Sequence, residues 1–483
     1  MDITHLNIGF IHSLIGKNDG VSIVIDQTVK CMIEDMNIDL GNIHFLAAHT
    51  TPRFNAQTDD VFWHKNKQHK WILKYFSSEP PAYLDNMIHR NALYAKQIIE
   101  EFVKKNEIDL IIAHNTSHPY NFITAVGLGY YFEELRKKGL IWPKILVWWH
   151  DSYFERKEFE NPNPVIKKYL KYLPGYYIDG LVFINKQQPE FAKRFFKEYN
   201  STKLNLFFRE RTAVIPNTSD INWDWKNREW HWDELVYQEK AHYNNTFFKD
   251  IGLTREIKKL GYSLYQTAIL LQHTRIVNRK NIELAIDFSF RLEKLLHKNG
   301  HNKKCVALLI SGHGGDEMEA YKKFLKDYFQ QKTEENPDAK VIMIFGEKRI
   351  LSHRDIIIDN KYYDFKEIPS IVAAHGGIGT YFSEVEGYGN NLLEMISYGL
   401  PVIVNKYDIY KSEIEPLGFK LPTVENAKLT DKVLEQGYKL LTDYNFRNQM
   451  VRHNLEVLDK KLPHKIIAKK LIPLVTKIFT KKL

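Results

Sequence analysis

The stretch SEVEGYGNNLLEMISYGLPVIV, residues 383–404, sets how the rest of the chain is interpreted. Its residues 390–398 are predicted to form a helix, which a Gly-Leu-Pro segment ends before an apolar strand over residues 402–404. Glu386 then lies in the loop before the helix, and Glu394 lies about one turn inside it. Seven residues separate the two glutamates. A loop carboxylate, paired glycines, a helix and a strand in this order indicate a binding site at a helix start.

The start of this helix offers a place for a phosphate group. Backbone N–H groups at positions 389–391 point out of the helix N-terminus, where the helix dipole favours a negative charge. A carboxylate beside a phosphate is costly unless it binds something else, and sugar or ribose hydroxyls can donate hydrogen bonds to it. For either glutamate alone, a solvated side chain or a helix cap is the simpler interpretation.

The sequence EGYGNNLLE followed by SYGLPVIV resembles the E-x7-E signature of retaining GT-B glycosyltransferases, in particular the family-4 enzymes. In that family the first glutamate contacts the donor sugar and the second contacts the ribose of the nucleotide, roles that the resemblance assigns to Glu386 and Glu394. The resemblance also implies donor contacts from Gly387, Tyr388, Gly389, Asn390, Asn391 and Leu392. The implied fold is α/β, with two Rossmann-like domains facing across a cleft.

Composition fits a two-domain protein of the cytoplasm. The chain has 483 residues, of which 44% are hydrophobic and 13% aromatic, enough for two cores. No run of 18 apolar residues predicts a transmembrane helix, and the N-terminal residues lack the charged start of a signal peptide. Cys31 and Cys305 lie in apolar contexts and are predicted to be reduced core residues.

The net charge of +9 indicates anionic ligands such as phosphates. No zinc-finger or RNP-like motif accompanies it, so nucleic acid is not expected as a partner. The basic and apolar segment 465–483 contains Pro473 and six lysines. In GT-B folds the terminal helix crosses back onto the first domain, which the resemblance implies for this tail; a peripheral contact with a membrane surface is the alternative.

The N-terminal half shows strands alternating with helices, which predicts a doubly wound parallel sheet. The first strand, over residues 7–13, leads into the glycine loop IGKNDG and a helix over residues 21–34. This loop matches neither a P-loop nor a dinucleotide fingerprint. In the family the loop at this place lies under the donor phosphates and near the acceptor, which implies donor contacts from Gly16 and Gly20 and an acceptor contact from Asn18.

Polar residues follow three of the predicted strands, over residues 110–113, 145–149 and 213–215, where a parallel sheet binds its ligands. The resemblance places His150 beside the donor sugar. The other polar residues are predicted to bind the acceptor: His114, Asn115, His118, Tyr120, Asn121, Asp151, Tyr153 and Arg156. Such side chains favour a small, soluble, hydroxylated and anionic acceptor, such as a sugar acid, a sugar phosphate or a glycoside of glycerate. The run HNTSHPYN also bears a weaker resemblance to synthases of mannosylglucosylglycerate-type compatible solutes.

A second series of strands and helices begins with a predicted strand over residues 266–271. Arg275 and Lys280 follow it and resemble the Arg and Lys that hold the donor diphosphate in the family. Two cations suit a diphosphate leaving group because they offset the charge that grows in the transition state. Arg279 competes with Lys280 for this role. Gly312 follows the next strand, over residues 306–310, and is expected to line the nucleotide site.

Four segments are predicted along the chain: an acceptor-binding domain over residues 1–218, a linker or insert over 219–261, a nucleotide-sugar-binding domain over 262–460, and a tail over 461–483 that packs back on the first domain. The tryptophans of the linker, Trp223, Trp225, Trp230 and Trp232, are expected to lie under the other domain. Residues 438–458 are predicted to form one helix.

The function expected from the sequence is retaining transfer of a hexose from a GDP-, UDP- or ADP-sugar to an acceptor hydroxyl. His150, Glu386, Arg275 and Lys280 carry the catalytic roles. No D-x-D motif occurs in the chain, so neither a metal nor a cofactor is expected. The alternatives are a nucleotide-sugar epimerase or a phosphorylase on the same fold, and a non-catalytic protein that binds sugars or polyanions.

Overall fold

The computed structural model describes residues 2–17, 19–199, 204–226, 246–313, 318–351 and 362–480. The chain divides into two compact units. The N-terminal unit comprises Met1–Asn217 and His464–Leu483, and the C-terminal unit comprises Thr218–Pro463. The segment 219–261, expected to be a linker, is therefore grouped with the C-terminal unit.

A parallel sheet of seven strands forms the centre of the N-terminal unit. The order across the sheet is β3-β2-β1-β4-β5-β6-β7, so the chain reverses its direction of winding between β1 and β4. Buried apolar runs build the five central strands, as expected for a sheet covered on both faces. The strands are β1 (Ile8–Ile11), β2 (Ile43–Ala47), β3 (Ala56–Thr58), β4 (Leu110–His114), β5 (Lys144–Trp149), β6 (Gly180–Phe183) and β7 (Thr212–Val214).

Helices of the N-terminal unit pack their apolar faces on this sheet. The core joins β4 and β5 to α3 and α4 through Phe102, Phe122 and Phe132, which are almost fully buried. The helices are α1 (Gly20–Glu34), α2 (Lys67–Lys74), α3 (Leu84–Lys105), α4 (Phe122–Lys137), α5 (Pro164–Lys167), α6 (Gln188–Tyr199) and α7 (Leu204–Glu210).

The last described helix of the chain also belongs to this unit. It spans Lys465–Thr480 and buries Leu471, Leu474 and Ile478, among other apolar residues. Its backbone is tied to the unit at both ends, since the N–H of Ala468 donates to Cys31 Sγ and the carbonyl of Ile478 accepts from Arg211 Nη1 at 3.0 Å. The apolar face of the helix is thereby used for packing.

A second parallel sheet, of six strands, forms the centre of the C-terminal unit. Its order is β10-β9-β8-β11-β12-β13, with the winding reversed between β8 and β11. The strands are β8 (Thr267–Gln272), β9 (Cys305–Ile310), β10 (Val341–Phe345), β11 (Ile378–Tyr381), β12 (Val402–Asn405) and β13 (Thr423–Val424). The helices are α8 (Leu253–Lys259), α9 (Ile282–Lys298), α10 (Met318–Glu335), α11 (Ile368–Ala374), α12 (Asn390–Ser397), α13 (Asp431–Thr442) and α14 (Tyr444–Lys461). We number the helix Lys465–Thr480 α15.

The single helix predicted over residues 438–458 is wrong, because the structure has two helices there. Asp443 adopts an extended conformation (φ −113°, ψ 102°) between α13 and α14, and its carboxylate accepts from the N–H of Phe446 at 3.0 Å. An aspartate that caps the next helix in this way ends the preceding one.

Three other predictions can be placed. Trp223 donates its indole N–H to the carbonyl of Ser397 at 2.8 Å and so packs within the C-terminal unit; Trp230 and Trp232 lie outside the described residues. Cys31 and Cys305 are buried free thiols. None of the helices that the structure describes is both long and apolar enough to cross a membrane.

Candidate active site

Both sheets gather polar residues where the winding reverses. In an open α/β sheet, the crevice for a ligand lies past the carboxyl ends of the two strands at this point. In the C-terminal unit these strands are β8 and β11, which lead to the loops that carry Lys280 and Glu386. In the N-terminal unit they are β1 and β4, which lead to His12 and to the run from His114 onward.

Glycines shape the loops at the C-terminal crevice. Gly389 is the N-cap residue of α12 and has φ +123°, and a Cβ there would lie 2.3 Å from the hydroxyl of Tyr407. Gly312 follows β9, and a Cβ there would lie 1.7 Å from the carbonyl oxygen of Thr274. Only glycine fits at either position. The backbone therefore lies close to Tyr407 at the helix start, and close to Thr274 in the loop that carries Arg275.

Glu386 lies at the centre of a buried ion-pair cluster. Its side chain is 9% exposed and accepts hydrogen bonds from Lys280 Nζ, from Arg279 Nη1 at 3.0 Å and from the Tyr381 hydroxyl at 2.9 Å. Burial by itself would raise the pKa of Glu386, but the charges of Lys280 and Arg279 outweigh it and hold the pKa well below its usual 4.5. Glu386 is therefore an anion with a fixed orientation.

Lys280 is equally constrained, since it is 5% exposed and lies 5.5 Å above the ring of Tyr381. Burial lowers the pKa of Lys280 to about 8; Glu386 opposes this effect, and the positive charges of Arg279 and Arg275 add to it. Lys280 and Arg279 with one carboxylate leave this cluster with a net charge of one positive unit, and Arg275 is a further cation close enough to act on Lys280. Such an excess suits an anion with more than one charge.

Glu394 is held by a second group of contacts. His273 is fully buried at the end of β8, with Nε2 3.3 Å from Glu394 Oε2 and Nδ1 2.8 Å from the hydroxyl of Ser311. Its ring stacks on Phe365 with a centroid distance of 3.9 Å. Asn391 donates from Nδ2 to the carbonyl of His273 at 2.8 Å, which fixes α12 against β8. These contacts set the position of the Glu394 carboxylate.

The histidines of the N-terminal crevice contact each other. His114 Nδ1 lies 2.9 Å from His150 Nε2, and His12 Nδ1 lies 3.2 Å from the backbone carbonyl of His114. Burial lowers the pKa of His150 to about 3 and that of His114 well below 6.5. Both rings are therefore neutral at physiological pH and can each donate one hydrogen bond and accept another.

Asp151 organises the neighbouring polar residues. It accepts from Arg156 Nε at 2.8 Å, and its N–H donates to Asn115 Oδ1 at 3.0 Å. His118 Nε2 lies 4.0 Å from Asp151 Oδ2, while burial lowers the pKa of His118 to about 4. The structure thus brings together the predicted residues that follow β4 and β5.

The remaining predicted residues differ in exposure. Tyr120 is 42% exposed and its ring lies against His118, whereas Tyr153 is 6% exposed and packs in the core on Phe154. Asn121 is buried and donates from Nδ2 to the carbonyl of Asn115. In the N-terminal unit Gly16 has φ +74° and Gly20 is the first residue of α1, while Asn18 lies outside the described residues. In the C-terminal unit Gly387 is exposed, Tyr388 and Leu392 are buried, and Asn390 is the first residue of α12.

Several residues at these crevices were not selected from the sequence. Tyr381 contacts Lys280, His273 contacts Glu394, and Phe365 stacks on His273. No local motif marks these three residues. In the N-terminal unit the Glu155 carboxylate accepts hydrogen bonds from Trp149 Nε1 at 2.9 Å and from Ser152 Oγ at 2.8 Å, and burial raises the pKa of Glu155 to about 7. The described residues contain no group of three or more His, Cys, Asp or Glu side chains that could hold a metal ion.

Known proteins resemble this chain over most of its length. No protein-family model matches it. A mannosylglucosylglycerate synthase of Petrotoga mobilis is 28% identical over 436 residues, which cover 86% of each chain. A mannosylglucosylglycerate synthase of Thermotoga maritima is 31% identical over 211 residues, which cover 40% of this chain and 44% of that one. These relatives confirm the resemblance to such synthases.

Solved structures share the architecture. The crystal structure of Anabaena HepE in complex with UDP and glucose is similar with a TM-score of 0.56 at 12% sequence identity. The similarity covers 98% of this chain and 100% of that one. It confirms the predicted fold of two Rossmann-like domains.

Proposed function

We propose that this chain, a glycosyltransferase with the GT-B fold, transfers a hexose from a nucleotide diphosphate sugar to a hydroxyl of a small anionic acceptor, with retention of the anomeric configuration and without a metal ion. The observation that carries the proposal is the buried cluster of Glu386 with Lys280 and Arg279. It lies at the reversal point of the C-terminal sheet, next to the N-cap glycine of α12.

The donor binds to the C-terminal unit in this proposal. The cluster carries one net positive charge, Arg275 adds a further cation nearby, and the N–H groups at the start of α12 add a partial positive charge. Arg275 and Lys280 bind the diphosphate, Glu394 binds the ribose and Glu386 binds the sugar. A structural neighbour, Anabaena HepE, binds UDP and glucose, which supports a nucleotide sugar as the donor class.

The reaction breaks the bond between the anomeric carbon and the diphosphate oxygen and forms a bond from that carbon to the acceptor oxygen. Lys280 and Arg275 offset the charge that grows on the diphosphate as the bond breaks. The acceptor hydroxyl approaches from the face that the diphosphate leaves, and its proton moves to an oxygen of that diphosphate. Attack on the same face retains the configuration and needs no enzyme nucleophile.

Neutral His150, in the N-terminal unit, orients the donor sugar by donating to or accepting from one of its hydroxyls. The acceptor binds to the same unit. Arg156 and the hydrogen-bonding groups around Asp151 suit an acceptor that carries both hydroxyls and a negative charge. The two relatives are named as mannosylglucosylglycerate synthases. A glycoside of glycerate is accordingly the first acceptor to test.

The decisive experiment incubates the purified protein with GDP-, UDP- and ADP-hexoses and glucosylglycerate, and determines the anomeric configuration of any product by NMR. Glu386→Gln should lower turnover by about a hundredfold and leave nucleotide affinity within a few-fold, because it removes a contact of the transition state. Glu384→Gln changes an exposed carboxylate of the same loop and is the matched control.

Other outcomes would contradict specific parts of the proposal. Near-normal turnover of Glu386→Gln would exclude its role, and loss of activity on adding a chelator would show a metal requirement. A sugar isomer of the donor as the only product would indicate an epimerase, and transfer to inorganic phosphate alone would indicate a phosphorylase. Binding of nucleotide sugars with no turnover of any donor would indicate a binding protein.

A further inference from the structure

An exposed apolar loop follows α4 in the N-terminal unit. Leu140, Ile141 and Trp142 are consecutive and are 49%, 57% and 46% exposed. A single exposed apolar residue is common on protein surfaces, but three adjacent large ones form a patch that is typical of an interaction site. We call residues 140–142 the apolar loop.

Hydrogen bonds hold the apolar loop in place on the end of α4. The N–H of Leu140 donates to the carbonyl of Leu135 at 3.0 Å, and the carbonyl of Leu140 accepts from Arg136 Nη1 at 2.9 Å. Arg136 is itself fixed by Asp179 at 3.1 Å. The exposed side chains are therefore presented by an ordered backbone, and little conformational entropy is lost when they are covered.

The end of α15 extends the patch. The ring of Phe479 lies 4.9 Å from that of Trp142. Most other apolar side chains of α15, such as Leu471 and Ile478, are buried in the N-terminal unit. A membrane contact of the tail was an alternative raised by its sequence, but most of its apolar face is used for packing. Phe479, which is partly buried, and the exposed apolar loop together form the apolar surface at this place.

Cations lie close to this surface in the sequence. Arg136, Lys137 and Lys138 precede the apolar loop directly. The tail over residues 465–483 has six lysines and no acidic residue. Lys137 is exposed, whereas Lys138 and Lys477 pair with Glu134 and Glu210 at the surface. Surface ion pairs of this kind are weak, so their lysines can still interact with external anions.

We propose that the apolar loop and Phe479 insert into the interfacial layer of a lipid surface that carries anionic headgroups. Trp and aliphatic side chains favour the boundary between headgroups and acyl chains, and nearby lysines are attracted to anionic lipid. A second copy of this chain fits the surface less well, because symmetric contact of the patch with itself would bring the same cations together. Attachment of this kind places the enzyme at a lipid surface. It does not depend on which acceptor the enzyme uses.

The test is sedimentation of the full-length protein with vesicles of phosphatidylcholine alone or with phosphatidylserine. We expect the protein to pellet with vesicles that contain phosphatidylserine and to be released as the salt concentration rises. Ile141→Asp should weaken vesicle binding by about tenfold or more, because a charge replaces the most exposed residue of the loop. Leu40→Asp, at a residue that is 60% exposed elsewhere on the N-terminal unit, should bind like the parent protein.

A second pair of measurements separates the alternatives. Ile141→Asp should keep the melting temperature and the mass in solution of the parent protein, which shows that it is folded. Failure of the parent protein to pellet with phosphatidylserine vesicles would overturn the proposal, as would equal binding by Ile141→Asp. A dimeric parent protein that Ile141→Asp converts to a monomer would instead show that a second copy covers the loop.

Discussion

Lys280 is a buried cation whose charge depends on pH within the working range of most enzymes. Its pKa of about 8 means that the ammonium group is present below that pH and is lost as the pH rises through it. A bound diphosphate would favour the charged form, so binding above pH 8 has to take up a proton. We expect nucleoside diphosphate affinity to fall above pH 8, by about tenfold per pH unit at most. Isothermal titration across the pH range measures this change.

Lys280→Arg supplies the control for this dependence, because a guanidinium group stays charged throughout. The variant should bind a nucleoside diphosphate with an affinity that changes little between neutral pH and pH 9. An equally steep fall in the variant would assign the titration to another group.

His273 acts through the carboxylate that it holds. His273→Phe keeps the stacking on Phe365 but removes the hydrogen bonds to Ser311 and Glu394. We expect about tenfold weaker nucleotide binding, since one or two hydrogen bonds are lost, and little further loss when Glu394→Ala is added. Affinity for inorganic pyrophosphate, which has no ribose, should stay the same. An equal loss for pyrophosphate would show that the variant disturbs the whole site.

The sequence identified single site residues better than their partners. Glu386 and Lys280 stand out locally, one in a glycine-rich loop before a helix and the other among cations after a strand. Their direct pairing joins residues that are 106 positions apart, and nothing in the local sequence indicates it. His273 was likewise hidden, since a histidine at a strand end has many possible partners until the fold brings Ser311 and Glu394 beside it.

At the scale of elements, the start of α12 depends on glycine. Gly389→Ala would place a methyl group against the hydroxyl of Tyr407 and would strain a backbone with φ +123°. We expect a loss of about 1–3 kcal/mol in the free energy of unfolding, together with weaker diphosphate binding. Calorimetry and nucleotide titration measure the two effects.

Gly376→Ala is the matched control for this change. Gly376 also has a positive φ, +73°, but a Cβ there would meet nothing within 4 Å. The control should lose stability through backbone strain while keeping nucleotide affinity. If both variants bind nucleotide like the parent protein, the start of α12 has no part in binding the diphosphate.

Some of the strands and helices could be predicted from the sequence and others could not. Long apolar runs gave strands within one residue of the observed limits, as for β5 (Lys144–Trp149) and β9 (Cys305–Ile310). The short strands β3 and β13 escaped notice because two or three residues, partly polar, carry no periodic signal. The break between α13 and α14 depends on the cap that Asp443 makes, which competes with a helical pattern that continues across it.

At the scale of the whole molecule, α15 stabilises a unit that begins at the other end of the chain. Leu471 is fully buried, so Leu471→Ala should cost about 2–5 kcal/mol in the free energy of unfolding. Nucleotide should still raise the melting temperature by the usual amount, because every proposed donor contact except those of Gly16, Gly20 and His150 lies in the C-terminal unit. Differential scanning fluorimetry with and without nucleotide measures both quantities.

Lys469→Ala is the matched control, since it changes an exposed residue two positions away on α15 and should leave the melting temperature within experimental error. If Leu471→Ala melts like the parent protein, α15 does not stabilise the unit. If it abolishes the effect of nucleotide, the donor contacts depend on α15.

The return of α15 to the N-terminal unit also bears on how the protein is made. A ribosome releases residues 1–217 long before it reaches residue 464. The N-terminal unit therefore lacks α15 until the C-terminal unit has been translated. Residues 218–463 are contiguous and can fold as soon as they emerge, as domains generally do during synthesis. Until α15 has been translated, the apolar surface that Leu471, Leu474 and Ile478 later cover is open to chaperones, and a chain that stops before α15 leaves it exposed to proteases.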